Sequence, residues 1–130
     1  MKYYIASGFG NKEKVRSVSE RLKNMGYLHT YDWTKNERAS SIVELKVIGQ
    51  IEKDAINEAD FIVVLLPAGK GSHIEFGIAL GQGKKIFLYS PNEEVFNLQT
   101  TSTFYHLPEV EIVTGNIDVL VEKIKSAVKF

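Results

Sequence analysis

The sequence predicts an α/β fold, a single open sheet of five parallel strands with helices on both faces. Three observations predict it. Short apolar runs alternate with segments of helical periodicity from one end of the chain to the other. The run Phe61 to Leu66 is continuously apolar, as a strand covered on both faces of a parallel sheet must be. No Pro/Ser-rich linker, repeat or low-complexity tract divides the 130 residues, and 44% hydrophobic with 25% charged residues is enough to bury one core.

The elements follow in order. Tyr3 to Ser7 reads as a first strand that stops at Gly8-Phe9-Gly10. Val15, Val18, Leu22 and Met25 then recur at three- and four-residue spacing, and Gly26 closes that helix. Tyr27 to Tyr31 supplies a second strand, followed by a polar loop, Asp32 to Ser40. Ser41 with Glu44 three residues later predicts a capping box for a helix running to about Asn57. After the Phe61 to Leu66 strand, Pro67-Ala68-Gly69-Lys70-Gly71 forms a loop, Ser72 caps the next helix and Gly83 ends it. Ile86 to Tyr89 is a fourth strand, Ser90 to Pro108 is irregular, and Val110 to Val113 is a short edge strand. Ile117, Leu120, Val121, Ile124 and Val128 mark an amphipathic last helix.

Alternating strands and helices imply right-handed β-α-β crossovers, and the expected strand order is 2-1-3-4-5, as in Rossmann/flavodoxin-like folds. Ligands bind such sheets beyond the carboxyl ends of the strands, where the strand order reverses. That rule selects the loops Ser7 to Asn11, Asp32 to Lys35, Pro67 to Ser72 and Ser90 to Asn92.

Composition removes several functions. Sixteen basic residues balance sixteen acidic ones, which is not the footprint of a nucleic-acid polymer binder. With no cysteine there is no disulfide, thiolate metal site or Cys nucleophile. The amino-terminal Met1-Lys2-Tyr3-Tyr4-Ile5 leads into glycine and charge without an apolar stretch long enough for a signal peptide or membrane span, so the expected location is cytoplasmic. His29, His73 and His106 are scattered without ligand spacing, and no metal is expected. Ser7-Gly8-Phe9-Gly10-Asn11 lacks both the dinucleotide fingerprint and the Walker pattern, which leaves a short anion or hydroxyl contact there. Lys84-Lys85 reads as a solvated face and Asp60 as a structural hydrogen-bonding residue.

Two carboxylates stand out. Drawn as a wheel, the helix after Ser41 gathers Leu45, Ile48, Ala55, Ile56 and Ala59 on one side with Glu52 in their middle, while Asp54 points away. A carboxylate on an apolar stripe is costly unless paired. It therefore marks a helix end already in solvent, a structural ion pair, or a side chain reaching into a cleft. Glu75 is read as lying in the first turn of a helix begun at Ser72, where the dipole and free amides favour the ionised carboxylate. That suits a nucleophile or an electrostatic stabiliser, and it equally suits a glutamate placed for its helix alone. Gly69, Gly71 and Gly77 leave the backbone around it approachable. Trp33 stands where an aromatic either stacks on a planar base or packs.

These residues resemble the nucleoside 2-deoxyribosyltransferase family and the related 2′-deoxynucleoside 5′-phosphate N-hydrolases. The matching pieces are Tyr4-Ile5-Ala6-Ser7-Gly8-Phe9, Ile56-Asn57-Glu58-Ala59-Asp60 leading into Phe61-Ile62-Val63-Val64, and Ser72-His73-Ile74-Glu75-Phe76-Gly77-Ile78-Ala79 followed by Gly83-Lys84-Lys85. They run in the family's order to about residue 90. The resemblance implies that Glu75 attacks the anomeric carbon of a nucleoside or nucleotide, giving a glycosyl-enzyme intermediate. It places Glu52 where the family has an aspartate that orients the sugar and handles protons near the base. Asp54 takes that role only if the register shifts. Tyr4 matches a tyrosine that contacts the nucleophile in the hydrolase branch, and Ser102 resembles a serine that binds 5′-phosphate across a dimer interface.

The candidate catalytic residues are thus Glu75, Glu52 and Tyr4, and the candidate substrate-binding residues are Ser7, Gly8, Phe9, Asp32, Trp33, Gly69, Gly71, Ser72 and Ser102. The resemblance implies no cofactor and a homodimer or larger homo-oligomer. Base transfer and hydrolysis both fit, as does cleavage of a nicotinamide dinucleotide, since Toll/interleukin-receptor-like domains have a similar sheet and a catalytic glutamate. A non-catalytic nucleotide-sensing module on this scaffold is the remaining reading.

Overall fold

In a computed structural model, which describes residues 1–129, the chain forms five parallel strands and four α-helices. The strands are β1 (Lys2–Ser7), β2 (Leu28–His29), β3 (Phe61–Leu65), β4 (Lys85–Ser90) and β5 (Val110–Thr114). The helices are α1 (Lys12–Asn24), α2 (Ile42–Glu58), α3 (Lys70–Gly81) and α4 (Ile117–Ala127). The sheet order is β2-β1-β3-β4-β5, the expected 2-1-3-4-5, and the order reverses between β1 and β3. Helices α1 and α4 contact one another, as do α2 and α3, which is the two-sided cover that alternating crossovers require. Every residue of β3 is buried, so its apolar run is the centre of the core. The first helix ends as the sequence predicts, with Gly26 at φ 95°, a conformation open to glycine but not to a branched residue.

Three elements differ from the sequence reading. The second strand is only Leu28–His29, paired with Lys2 and Tyr3, because the chain beyond it enters the Trp33–Lys35 turn that Asp32 caps. Thr30 still donates its N–H to the Tyr3 carbonyl at 3.0 Å. Helix α3 begins at Lys70 rather than after Ser72, with Gly69 as N-cap; the Ser72 hydroxyl accepts the Gly69 N–H at 2.9 Å from inside the first turn. Glu75 consequently sits in the second turn, beyond the free amides of the helix start. Lys84 does not simply face solvent. Its ammonium donates to the carbonyls of Ile56, Asn57 and Ala59 at 2.5–2.7 Å and so closes the carboxyl end of α2.

Helix α2 shows the largest departure. Ser41 caps it as expected, its hydroxyl accepting the Glu44 N–H at 3.1 Å, while the Glu44 carboxylate takes the N–H of Ser40, one residue before the cap. Within it only Ala55 and Ile56 are buried; Leu45, expected on the core side, is 55% exposed. The reason is length. Seventeen helical residues span about 25 Å and the five residues of β3 about 17 Å, so the first turns of α2 project past the sheet.

Candidate active site

Three side chains meet at the strand-order reversal. Tyr4, fully buried on β1, donates its hydroxyl hydrogen to Glu75 Oε2 at 2.6 Å and lies 3.2 Å from Glu52 Oε2. Pairing in the sheet places Tyr4 beside Ile62 of β3, so its side chain rises on the face that α2 and α3 cover. Glu52 comes down from α2 at the point where that helix leaves the sheet, and Glu75 comes from the second turn of α3. Asp54 is exposed and accepts a hydrogen bond from Gln50 at 2.8 Å, away from this cluster.

Burial dominates the electrostatics. It pushes the Glu75 carboxyl up to about 8, opposed by the Tyr4 hydrogen bond and reinforced by the charge of Glu52. It also raises Glu52, against hydrogen bonds from Tyr4 and Glu75. This reverses the expectation for Glu75, which had rested on a first-turn position. The Tyr4 phenol is itself raised, chiefly by burial, and therefore stays a donor at neutral pH. One hydroxyl hydrogen cannot satisfy two carboxylates, so the pair keeps a shared proton. The charge of Glu52 and its hydrogen bond both raise Glu75, whereas the hydrogen bond from Glu75 lowers Glu52, so in the free site the proton rests on Glu75 and the negative charge on Glu52.

The cluster opens into a cleft of about 290 Å³ lined by Ser7, Gly8, Phe9, Trp33, Glu52, Gly69, Lys70, Gly71, Ser72 and Glu75. Backbone contact holds its floor: Gly8 donates its N–H to the Pro67 carbonyl at 3.1 Å, and a Cβ on Gly8 would stand 2.9 Å from that oxygen. Only glycine allows the two loops this close. Ser7 lines the cleft, but its hydroxyl already donates to the Leu65 carbonyl at 2.7 Å and accepts from Asn11 at 3.0 Å. Trp33 is buried and donates its indole N–H to the Ile5 carbonyl at 2.7 Å. Phe9 stacks on it with ring centroids 6.4 Å apart, is 52% exposed and carries the Lys12 ammonium 3.9 Å from its ring centroid, so the exposed aromatic of the cleft is Phe9 under a cation.

Two sequence-predicted residues lie elsewhere. Asp32 caps the turn Trp33–Lys35 through Thr34 and borders a separate hollow with His29 and Lys35. Ser102 lies on the opposite flank of α3, in an apolar slot with Phe76, Leu80 and Phe104. Lys70, not among the expected residues, brings a cation into the cleft; its place in the loop before the glutamate block was the available signal. Among the described residues no group of three or more His, Asp or Glu side chains could hold a metal ion, and no helix is long and apolar enough to cross a membrane.

The family model of nucleoside 2-deoxyribosyltransferases matches residues 3–123. The chain belongs to the nucleoside 2-deoxyribosyltransferase family. Tyr4, Glu52 and Glu75 all fall inside the matched span. The fold is shared with the CMP N-glycosidase BcmB of Clostridium botulinum, at 20% identity and TM-score 0.63 over 96% of this chain and 99% of that one. It is shared equally with the solution structure of BlsM, at 19% identity and TM-score 0.67 over 98% and 88%. No curated protein matches the sequence.

Proposed function

We propose that this deoxyribosyltransferase-family member breaks the N-glycosidic bond of a nucleoside or its 5′-monophosphate by covalent catalysis at Glu75. The observation that carries the reading is the buried cluster of Tyr4, Glu75 and Glu52, in which two raised carboxyls meet at one phenol donor. In the first step an oxygen of the Glu75 carboxylate bonds to the anomeric carbon as the carbon–nitrogen bond breaks. The electron pair of that bond passes to the base nitrogen, and the proton that Glu75 gives up to Glu52 as it attacks follows it. In the second step Glu52, now a carboxylate, takes a proton from the incoming acceptor, whose nitrogen or oxygen displaces Glu75 from the sugar. With a base as acceptor the reaction is transfer; with water it is hydrolysis.

Transfer is the leading reading, on the strength of the family. Hydrolysis of a nucleotide has a specific feature in its favour, because Lys70, Gly71 and Ser72 at the start of α3 line the cleft that would receive a 5′-phosphate. Phe9 is the exposed aromatic that would stack on the base, in exchange for the Lys12 ammonium now over its ring. The chain would act as a homo-oligomer, since Ser102 stands on the far flank of α3 from its own cleft and could meet a phosphate only in a second copy.

The test is chromatographic: free base released from nucleosides, their 5′-monophosphates including CMP, and a nicotinamide dinucleotide, with and without an acceptor base. Product only with acceptor means transfer, and release without it means hydrolysis. Ligand binding without turnover by any substrate overturns the enzymatic reading in favour of a sensing module.

A further inference from the structure

Of the four loops beyond the carboxyl ends of the strands, Ser90 to Asn92 takes no part in the cleft. It borders instead a second hollow of about 400 Å³ past the ends of β3 and β4, a volume in the range of small-molecule sites. One stretch of chain separates the two. Gly69 to Ser72 line the cleft, while Leu66, Pro67, Ala68 and His73 line the hollow, so the loop entering α3 is the wall between them. Side chains brace that wall. The Gly69 carbonyl can only accept, so His73 Nδ1 carries the hydrogen of their 2.8 Å bond, and in the neutral ring Nε2 accepts the Tyr105 hydroxyl at 2.6 Å.

We propose that the hollow holds the second nucleoside of a dinucleotide whose first nucleoside is cleaved at Glu75, with the diphosphate between them crossing the wall at Lys70. This rests on the preceding reading and extends its substrate from a mononucleotide to two nucleosides joined through a diphosphate. The cleft by itself, at about 290 Å³, lies at the small end of ligand sites. Gly69 and His73, on its two sides, stand one turn apart, about 6 Å along α3, within the reach of a diphosphate. Three features select a nucleoside for the hollow. No lysine or arginine lines it, so it offers nothing to a terminal phosphate, whereas Lys70 brings a cation to the cleft side of the wall. Leu66, Pro67 and Val95 with the Tyr105 ring supply an apolar surface for a planar base. Exposed Glu94 adds a carboxylate, the group that accepts hydrogen bonds from ribose hydroxyls at the ends of such sheets.

The test is calorimetric binding to Glu75→Gln, which stops turnover, with AMP, ADP and diadenosine diphosphate in one series and CMP, CDP and dicytidine diphosphate in another. In the series that binds, the dinucleotide should bind at least about tenfold more tightly than either its mono- or its diphosphate, because its second half is already tethered. Thr100→Trp, added at an exposed position to fill the hollow, should erase that gain and leave both the monophosphate affinity and the circular dichroism unchanged. Glu94→Gln should weaken the dinucleotide alone. A diphosphate that binds as tightly as the dinucleotide, or a Thr100→Trp variant in which every ligand is weakened alike, overturns the proposal, and monophosphate binding then leaves the mononucleotide reading standing. Binding by none of these nucleotides strikes the nucleotide reading itself, and this inference with it.

Discussion

Replacing Glu75 with glutamine should make the protein more stable at alkaline pH while abolishing its chemistry. Burial holds the Glu75 carboxyl at about 8 in the folded state against an ordinary 4.5. A group raised by folding stabilises the protein fully below its unfolded value, and that contribution is lost as pH climbs toward the folded value. The loss therefore runs from about pH 4.5 to about pH 8. At about 1.4 kcal/mol per pH unit the ceiling is about 5 kcal/mol, and partial exposure and the coupling to Glu52 reduce it to about 2 kcal/mol. Glutamine keeps the shape, still accepts from Tyr4 and can donate to Glu52, and has no charge to desolvate. Thermal melts followed by circular dichroism should show Glu75→Gln about 6 °C above wild type at pH 8 and level with it at pH 4.5. An equal loss of melting temperature at both values would refute the reasoning, since it would mean that the ionised carboxylate is a favourable charge in the fold.

Other perturbations separate the parts of the site. Tyr4→Phe removes a charge-assisted hydrogen bond worth about 1.5–3 kcal/mol; kcat should fall about 10–100-fold and the acid limb of the pH profile should move upward, and an unmoved limb would show that Tyr4 does not set the charge on Glu75. Gly8→Ala forces the Pro67 carbonyl away from a 2.9 Å contact, at a cost of about 1–3 kcal/mol in denaturant titration; a neutral result would mean that the two loops need not touch. Lys70→Ala should raise KM for a 5′-monophosphate about tenfold and leave the nucleoside unaffected, and an equal effect on both would remove Lys70 from phosphate recognition.

Sheet order and core were legible because they rest on periodicity. The unbroken apolar run of β3 and the three- and four-residue spacing of Val15, Val18 and Leu22 each name a buried face without reference to the rest of the chain. Glu52 was legible for the same reason, as a charge breaking a stripe. What periodicity cannot supply is where a helix outruns its sheet, so Leu45 looked internal and is exposed. Nor does it fix a helix start when glycine and serine both offer caps, which moved Glu75 from the first turn to the second and inverted the sign of its electrostatics. Trp33 and Asp32 stood in the right loop, yet their polar atoms are spent on Ile5 and Thr34, a fact carried only by three-dimensional contact.

The central claim is that Glu75 becomes covalently attached to the sugar. A 2′-fluoro arabino analogue of whichever nucleoside or nucleotide is turned over slows both glycosyl-transfer steps by destabilising the positive charge at the anomeric carbon, and the reaction can then be stopped and digested for peptide mass spectrometry. The account predicts a stoichiometric glycosyl mass on the peptide containing Glu75, absent in Glu75→Gln. Turnover of the parent substrate with no adduct, or an adduct on Glu52 instead, would contradict it.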